Sequence, residues 1–139
     1  MKHFCLESEN FRLSLDFKVF EADISYPSNT TLTVSVSSNG FSATTDMDID
    51  VKEIAGFCGD LKTIYDSFRG EAKISESYGK QNILFSCDRH GHIFVSGFLC
   101  SGGANGFWHE LKFENALDQS FLPPLIRDLT AFSENYNCV

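Results

Sequence analysis

The apolar pattern predicts an α+β fold: a predominantly antiparallel sheet of about seven strands with two helices packed on one face. Three observations carry this. Apolar residues alternate with polar ones in three early stretches, switch once to helical spacing, then alternate again before a last helical run. The links are short, which makes consecutive strands antiparallel neighbours. Most stretches are apolar on one side only, as a sheet with one covered and one solvated face requires. The predicted order is βββ-α-ββββ-α, read as one domain over residues 1–139 with frayed ends at 1–9 and 133–139.

The first strand runs from Asn10 to Phe20, with Phe11, Leu13, Leu15, Phe17 and Val19 opposite Arg12, Ser14, Asp16 and Lys18. Pro27-Ser28-Asn29 marks a turn, and Leu32, Val34 and Val36 then alternate with Thr and Ser. Asn39-Gly40 is a hairpin signal, because both residues tolerate the positive φ of a tight turn. The return strand sets Phe41, Ala43, Thr45, Met47 and Ile49 against Ser42, Thr44, Asp46, Asp48 and Asp50. From Val51 to Phe68 the apolar residues fall at helical spacing. Asp50 and Glu53 resemble a capping box at the start, and Gly70 provides a stop. Strands are predicted over Glu71 to Glu76, Gln81 to Asp88, His92 to Leu99 and Gly106 to Glu114. Tyr78-Gly79-Lys80, Arg89-His90-Gly91 and Ser101-Gly102-Gly103 link them. Asp118-Gln119-Ser120 precedes the second helix, whose Pro123 and Pro124 fit only a first turn.

Composition narrows the functional classes. The 14 phenylalanines need no hydrogen-bond partner when buried, and point to a sheet–helix core filled by rings. No stretch approaches the roughly 20 apolar residues of a membrane span, and the charged start lacks a signal-peptide core. A cytoplasmic protein is therefore expected. The five cysteines (Cys5, Cys58, Cys87, Cys100 and Cys138) are scattered, which favours buried or half-buried thiols over a disulfide framework or a zinc site. A net charge of −8 argues against nucleic-acid binding and suits a basic partner, or solubility alone.

No catalytic constellation stands out. The sequence has no G-x-S-x-G, P-loop, H-E-x-x-H or dinucleotide fingerprint, so no enzyme and no cofactor are expected. Asp46-x-Asp48-x-Asp50 opens like a calcium loop, but Val51 and Phe57 stand where that loop needs Gly and Glu. What remains is a solvated acidic face ending in a helix cap, or a docking patch. Cys87-Asp88-Arg89-His90-Gly91-His92 reads as a hairpin turn rather than a metal site. In the last strand Phe107, His109, Leu111 and Phe113 share one parity, and if they face the core, Trp108, Glu110 and Lys112 lie on the open face. Trp108 is then either a binding anchor or a ring covered by a loop or an oligomer partner.

Several of these pieces together resemble bacterial immunity proteins of the WapI kind. The matching features are Gly40-Phe41-Ser42-Ala43, the helix from Ile54 to Phe68 closed by Gly70, and Gly91-His92-Ile93-Phe94-Val95-Ser96-Gly97. The last is Leu111-Lys112-Phe113-Glu114 followed by Asp118-Gln119-Ser120 and a helix. The resemblance implies an inhibitor used in bacterial competition, which binds a toxin domain and carries no catalytic residue. A basic nuclease toxin would be steered onto so acidic a chain. Asp46, Asp48, Asp50, Trp108 and Glu110 form the expected partner-binding set. The alternative is a small-molecule-binding domain with a pocket between sheet and helices.

Overall fold

The computed structural model describes residues 2–102 and 105–136. Four strands come first: β1 (Lys2–Ser8), β2 (Phe11–Val19), β3 (Thr30–Ser38) and β4 (Phe41–Ile49). The helix α1 (Glu53–Ser67) leads to β5 (Glu71–Ser75), β6 (Asn82–Cys87), β7 (Ile93–Ser101) and β8 (His109–Leu117). The helix α2 (Leu122–Glu134) follows. The α+β class and the antiparallel pairing are as expected. The strands number eight, however, and they divide into two four-stranded meanders, β1-β2-β3-β4 and β5-β6-β7-β8.

The eighth strand is β1, within residues expected to fray. Only Phe4 and Leu6 mark it in the sequence, too few to establish a period, but both are buried once β1 pairs with β2. At the other end α2 continues through Ser133, which is buried, to Glu134. Gly103 of the expected third link, Cys138 and residues 137–139 of the expected tail lie outside the described residues.

The Asn39-Gly40 turn forms as predicted, with φ of +51° and +90°, and closes on the pair Ser38 and Phe41. Both helices lie among the inner faces of the sheets. Helix α1 packs on β5 and β6, with the Phe57 ring 5.7 Å from that of Phe85. Helix α2 lies beside α1 and sets Phe132 against Phe17 and Phe4, at 5.3 and 6.1 Å between ring centres. Away from the helices the sheets meet directly. β4 approaches β7, β3 approaches β8, and Phe11 packs near Phe113. The buried apolar side chains form one continuous cluster, as the phenylalanine content suggested. Burying a side chain of this size contributes about 1.5–3 kcal/mol.

Local details depart from the sequence reading in instructive ways. Helix α1 starts at Glu53 without a side-chain cap. Asp50 Oδ1 instead accepts the Lys52 N–H at 3.0 Å in the turn before it. Strand β8 begins three residues later than expected, because Asn105 folds back to accept the Phe107 N–H (3.1 Å) and Gly106 takes φ +77°. Gly97 of β7 has a packing role. A Cβ there would come 2.6 Å from the Phe113 ring and 2.8 Å from the Asn82 carbonyl oxygen. In the Asp118-Gln119-Ser120 step, Asp118 Oδ1 accepts the Ser120 N–H at 2.8 Å and starts a short 3-10 turn leading into α2.

Candidate functional site

Of the predicted contact residues Asp46 and Asp48 lie on β4 and Asp50 just after it, and the two ends of this strand differ. Met47 and Ile49 are buried on the inner face, whereas Asp46 and Asp48 are exposed on the outer one, as parity required. Asp46 accepts the Thr33 hydroxyl at 2.6 Å across the strand pair. Asp50 has a different role. It is half-buried and accepts from the Asn29 side-chain amide (3.0 Å) as well as from Lys52 N–H, so it belongs to the strand–helix junction.

Asn29 organises that junction. It is 0% exposed, and its amide also donates to the carbonyls of Ile24 (3.2 Å) and Tyr26 (3.0 Å). Its oxygen accepts from Thr30 Oγ1 and from the Val51 N–H, both at 2.9 Å. The turn signal Pro27-Ser28-Asn29 located this residue correctly but gave no sign that it would be buried. The side chain replaces water for five partners, as a buried polar group must.

The backbone edge of β4 away from β3 is closed over its second half. Ser77 N–H donates to the Asp48 carbonyl at 2.8 Å, and Gln81 Nε2 donates to the Asp46 carbonyl at 2.9 Å. Gln81 is only 4% exposed, and its Oε1 accepts the Cys100 N–H at 3.2 Å. Cys100 lies past the last β6–β7 pair, Asn82 with Phe98, so its N–H has no strand partner on that side. One side-chain amide therefore joins the edge of the first sheet to β7 of the second. Sequence reasoning missed it, since a glutamine after a Tyr-Gly-Lys turn carries no signal of burial.

Gln81 also links the two parts of the predicted contact set. Cys100 is the register partner of Glu110 on β8. Glu110 accepts the Trp108 indole N–H at 2.7 Å, which fixes the ring while leaving it 56% exposed. Among the described residues, none covers the Trp108 ring. The ring precedes β8 rather than sitting in it and flanks Gly102, where an added Cβ would lie 3.6 Å from it.

The space between the open half of β4 and the β7–β8 pair is a groove of about 350 Å³. It is lined by Phe41, Ala43 and Thr45 from β4, with Leu99, Glu110 and Leu111 opposite. Phe41 is 68% exposed although its parity is inward, because it stands at the hairpin tip where the sheets part. Phe107, 66% exposed, and His109 do not take the inward positions expected of them, because β8 starts only at His109. Phe107 therefore adds a third accessible ring next to Trp108 in the chain. Among the described residues, the buried Thr45 hydroxyl has no hydrogen-bond partner. Burial pushes the Cys100 thiol up from its ordinary value, and the carboxylates of Glu76 and Glu110 raise it further. The groove thus presents the exposed Phe41 ring, the His109 imidazole and the Glu110 carboxylate, with Trp108 held beside it by its bond to Glu110.

The remaining candidates are structural. Asp88 Oδ1 accepts the N–H groups of His90 (2.8 Å) and His92 (3.0 Å), which makes Cys87 to His92 the expected hairpin turn. A hydrogen bond from the His92 ring holds the Asp88 carboxyl below its usual range. No group of three or more metal-ligating side chains occurs among the described residues. Cys58 is buried and Cys87 and Cys100 are half-buried, as expected, but Cys5 is exposed on the edge strand β1. None of the described helices is long and apolar enough to cross a membrane.

Compared with models of protein families, the chain matches the Immunity protein WapI-like family over residues 5–137. No curated protein matches it.

Proposed function

The chain belongs to the Immunity protein WapI-like family, and from that premise we propose that it neutralises a toxin domain by tight, non-catalytic binding that covers the toxin's working surface. The family match over nearly the whole chain is the observation that carries this reading. The toxin is a nuclease in this proposal. An enzyme that holds a phosphate backbone needs a basic surface, and a chain of net charge −8 complements one. The complex forms in the cytoplasm, where a nuclease toxin would meet its substrate.

The contact surface is centred on the groove beside β4. Asp46, Asp48 and Glu110 supply charge for steering, while Trp108 with Phe41 and Phe107 supplies exposed rings of the kind that dominate binding energy. Asp50 is left out of this surface, because it is half-buried in the strand–helix junction and held there by Asn29 and Lys52. A standard interface hides about 800 Å² on each partner, which a groove and its rims supply only with help from the neighbouring sheet surface.

The test mixes the protein with the toxin domain encoded beside it. A one-to-one complex is expected, with association slowing as salt rises and with protection of cells that make both proteins. Absence of a complex, or cells left unprotected, would overturn the proposal.

A further inference from the structure

The open half of β4 has geometry that its closed half does not use. Asp46 and Asp48 turn their carbonyls away from β3, since both accept hydrogen bonds from outside the sheet. Antiparallel ladders alternate, so Ser42 and Thr44 turn their backbone groups the same way. Among the described residues, neither makes a backbone hydrogen bond on that side. An edge strand left bare in this way is a template for another strand. Gln81 shows what the template accepts. Its amide gives an N–H to a β4 carbonyl and takes an N–H from β7, the two kinds of bond that the peptide group of an added strand would make.

We infer that the groove receives an extended basic segment of the toxin, which adds as a strand to the free edge of β4 at Ser42 and Thr44. The inference rests on the functional reading above and specifies how that contact is made. Alternate side chains of an added strand point to one face, so every second residue would enter the groove between Phe41, Ala43 and Leu111. A polar group at one of these positions would partner the buried Thr45 hydroxyl. Residues of the other parity would face Asp46 and the outer surface, where Lys or Arg is favoured. The same acidity disfavours a second copy of this chain, which would bring Asp46 and Glu110 against their own counterparts. Main-chain bonds give such a complex its affinity, and the side-chain pockets give it selectivity.

Amide hydrogen exchange of the free protein and of its complex with a catalytically inactivated toxin domain tests this directly. The Ser42 and Thr44 amides are expected to exchange fast in the free protein and at least about tenfold more slowly in the complex. Thr44→Pro removes an N–H that β3 does not use and that edge strands can spare. A variant that melts like the parent is expected to bind the toxin about tenfold more weakly or worse. The exchange measurement needs no variant and decides the matter if Thr44→Pro fails to fold. A complex that forms with unchanged exchange at both amides overturns strand addition and leaves the functional reading standing. Protection of the same amides through self-association, without toxin, also overturns it. If the unaltered protein forms no complex, both fall together.

Discussion

The two halves of β4 are nine residues of one strand with opposite fates. From Asp46 onward the free edge is closed by Ser77 and Gln81, and Asn29 ties the turn before α1 to the loop that leads into β3. From Phe41 to Thr45, among the described residues, the same edge makes no backbone bond, a large ring stands in solvent and a buried hydroxyl has no partner. The closed half is held to the rest of the fold. The open half retains the features a partner can use. The outer residues of both halves are polar, so composition alone does not separate them. What differs is the bonding of the backbone edge.

Removing the anchor of the closed half has the largest expected effect. Asn29→Ala strands buried groups on three segments at once and should lower stability by about 3 kcal/mol in chemical denaturation. Gln81→Ala opens the closed edge and leaves the Asp46 carbonyl and the Cys100 N–H unpaired. It should cost about 2 kcal/mol, and because it also frees the sheet junction it should speed exchange of the Cys100 amide. The open half should respond in the reverse sense. Phe41→Ser should change stability by less than about 0.5 kcal/mol, as an exposed site does, while weakening toxin binding about tenfold. A stability loss as large as that of Gln81→Ala would break the comparison.

Acid gives a smaller effect from outside β4. Hydrogen bonds hold the Asp88 and Asp118 carboxyls below their ordinary values, from the His92 ring in one case and the Ser120 N–H in the other. A depressed folded value stabilises above the unfolded one and is lost as pH falls through the folded one. Titration below about pH 4 should therefore loosen the β6–β7 turn and the entry to α2, seen as faster local exchange there, with β4 retaining its pattern.

Much of the fold was legible because its signals are local. The alternation of β2, β3 and β4, the Asn39-Gly40 turn and the spacing of α1 are each set within a few residues. The division into two sheets was not, since it depends on which strands decline to pair across α1. β1 stayed hidden because Phe4 and Leu6 gain their meaning only beside β2. At the site, parity correctly exposed Asp46, Asp48 and Glu110, because it depends on the strand alone. Trp108, by contrast, is exposed along with its opposite-parity neighbours Phe107 and His109, since β8 starts only at His109. Asp50 was misjudged by the same rule, as its carboxylate answers to Asn29 across 21 residues of sequence. Gln81 was invisible for a similar reason. Its partners lie on β4 and β7, and nothing in its neighbours announces them.

A pair of charge reversals shows whether the toxin meets the groove beside β4. Glu110→Lys reverses a carboxylate on the groove, whereas Asp60→Lys makes the same change in net charge on the exposed side of α1. Toxin affinity measured for both at one salt concentration should fall about tenfold or more for Glu110→Lys and stay near the parent value for Asp60→Lys. Equal losses would mean that overall charge, not this groove, governs binding, and a loss confined to Asp60→Lys would put the contact elsewhere.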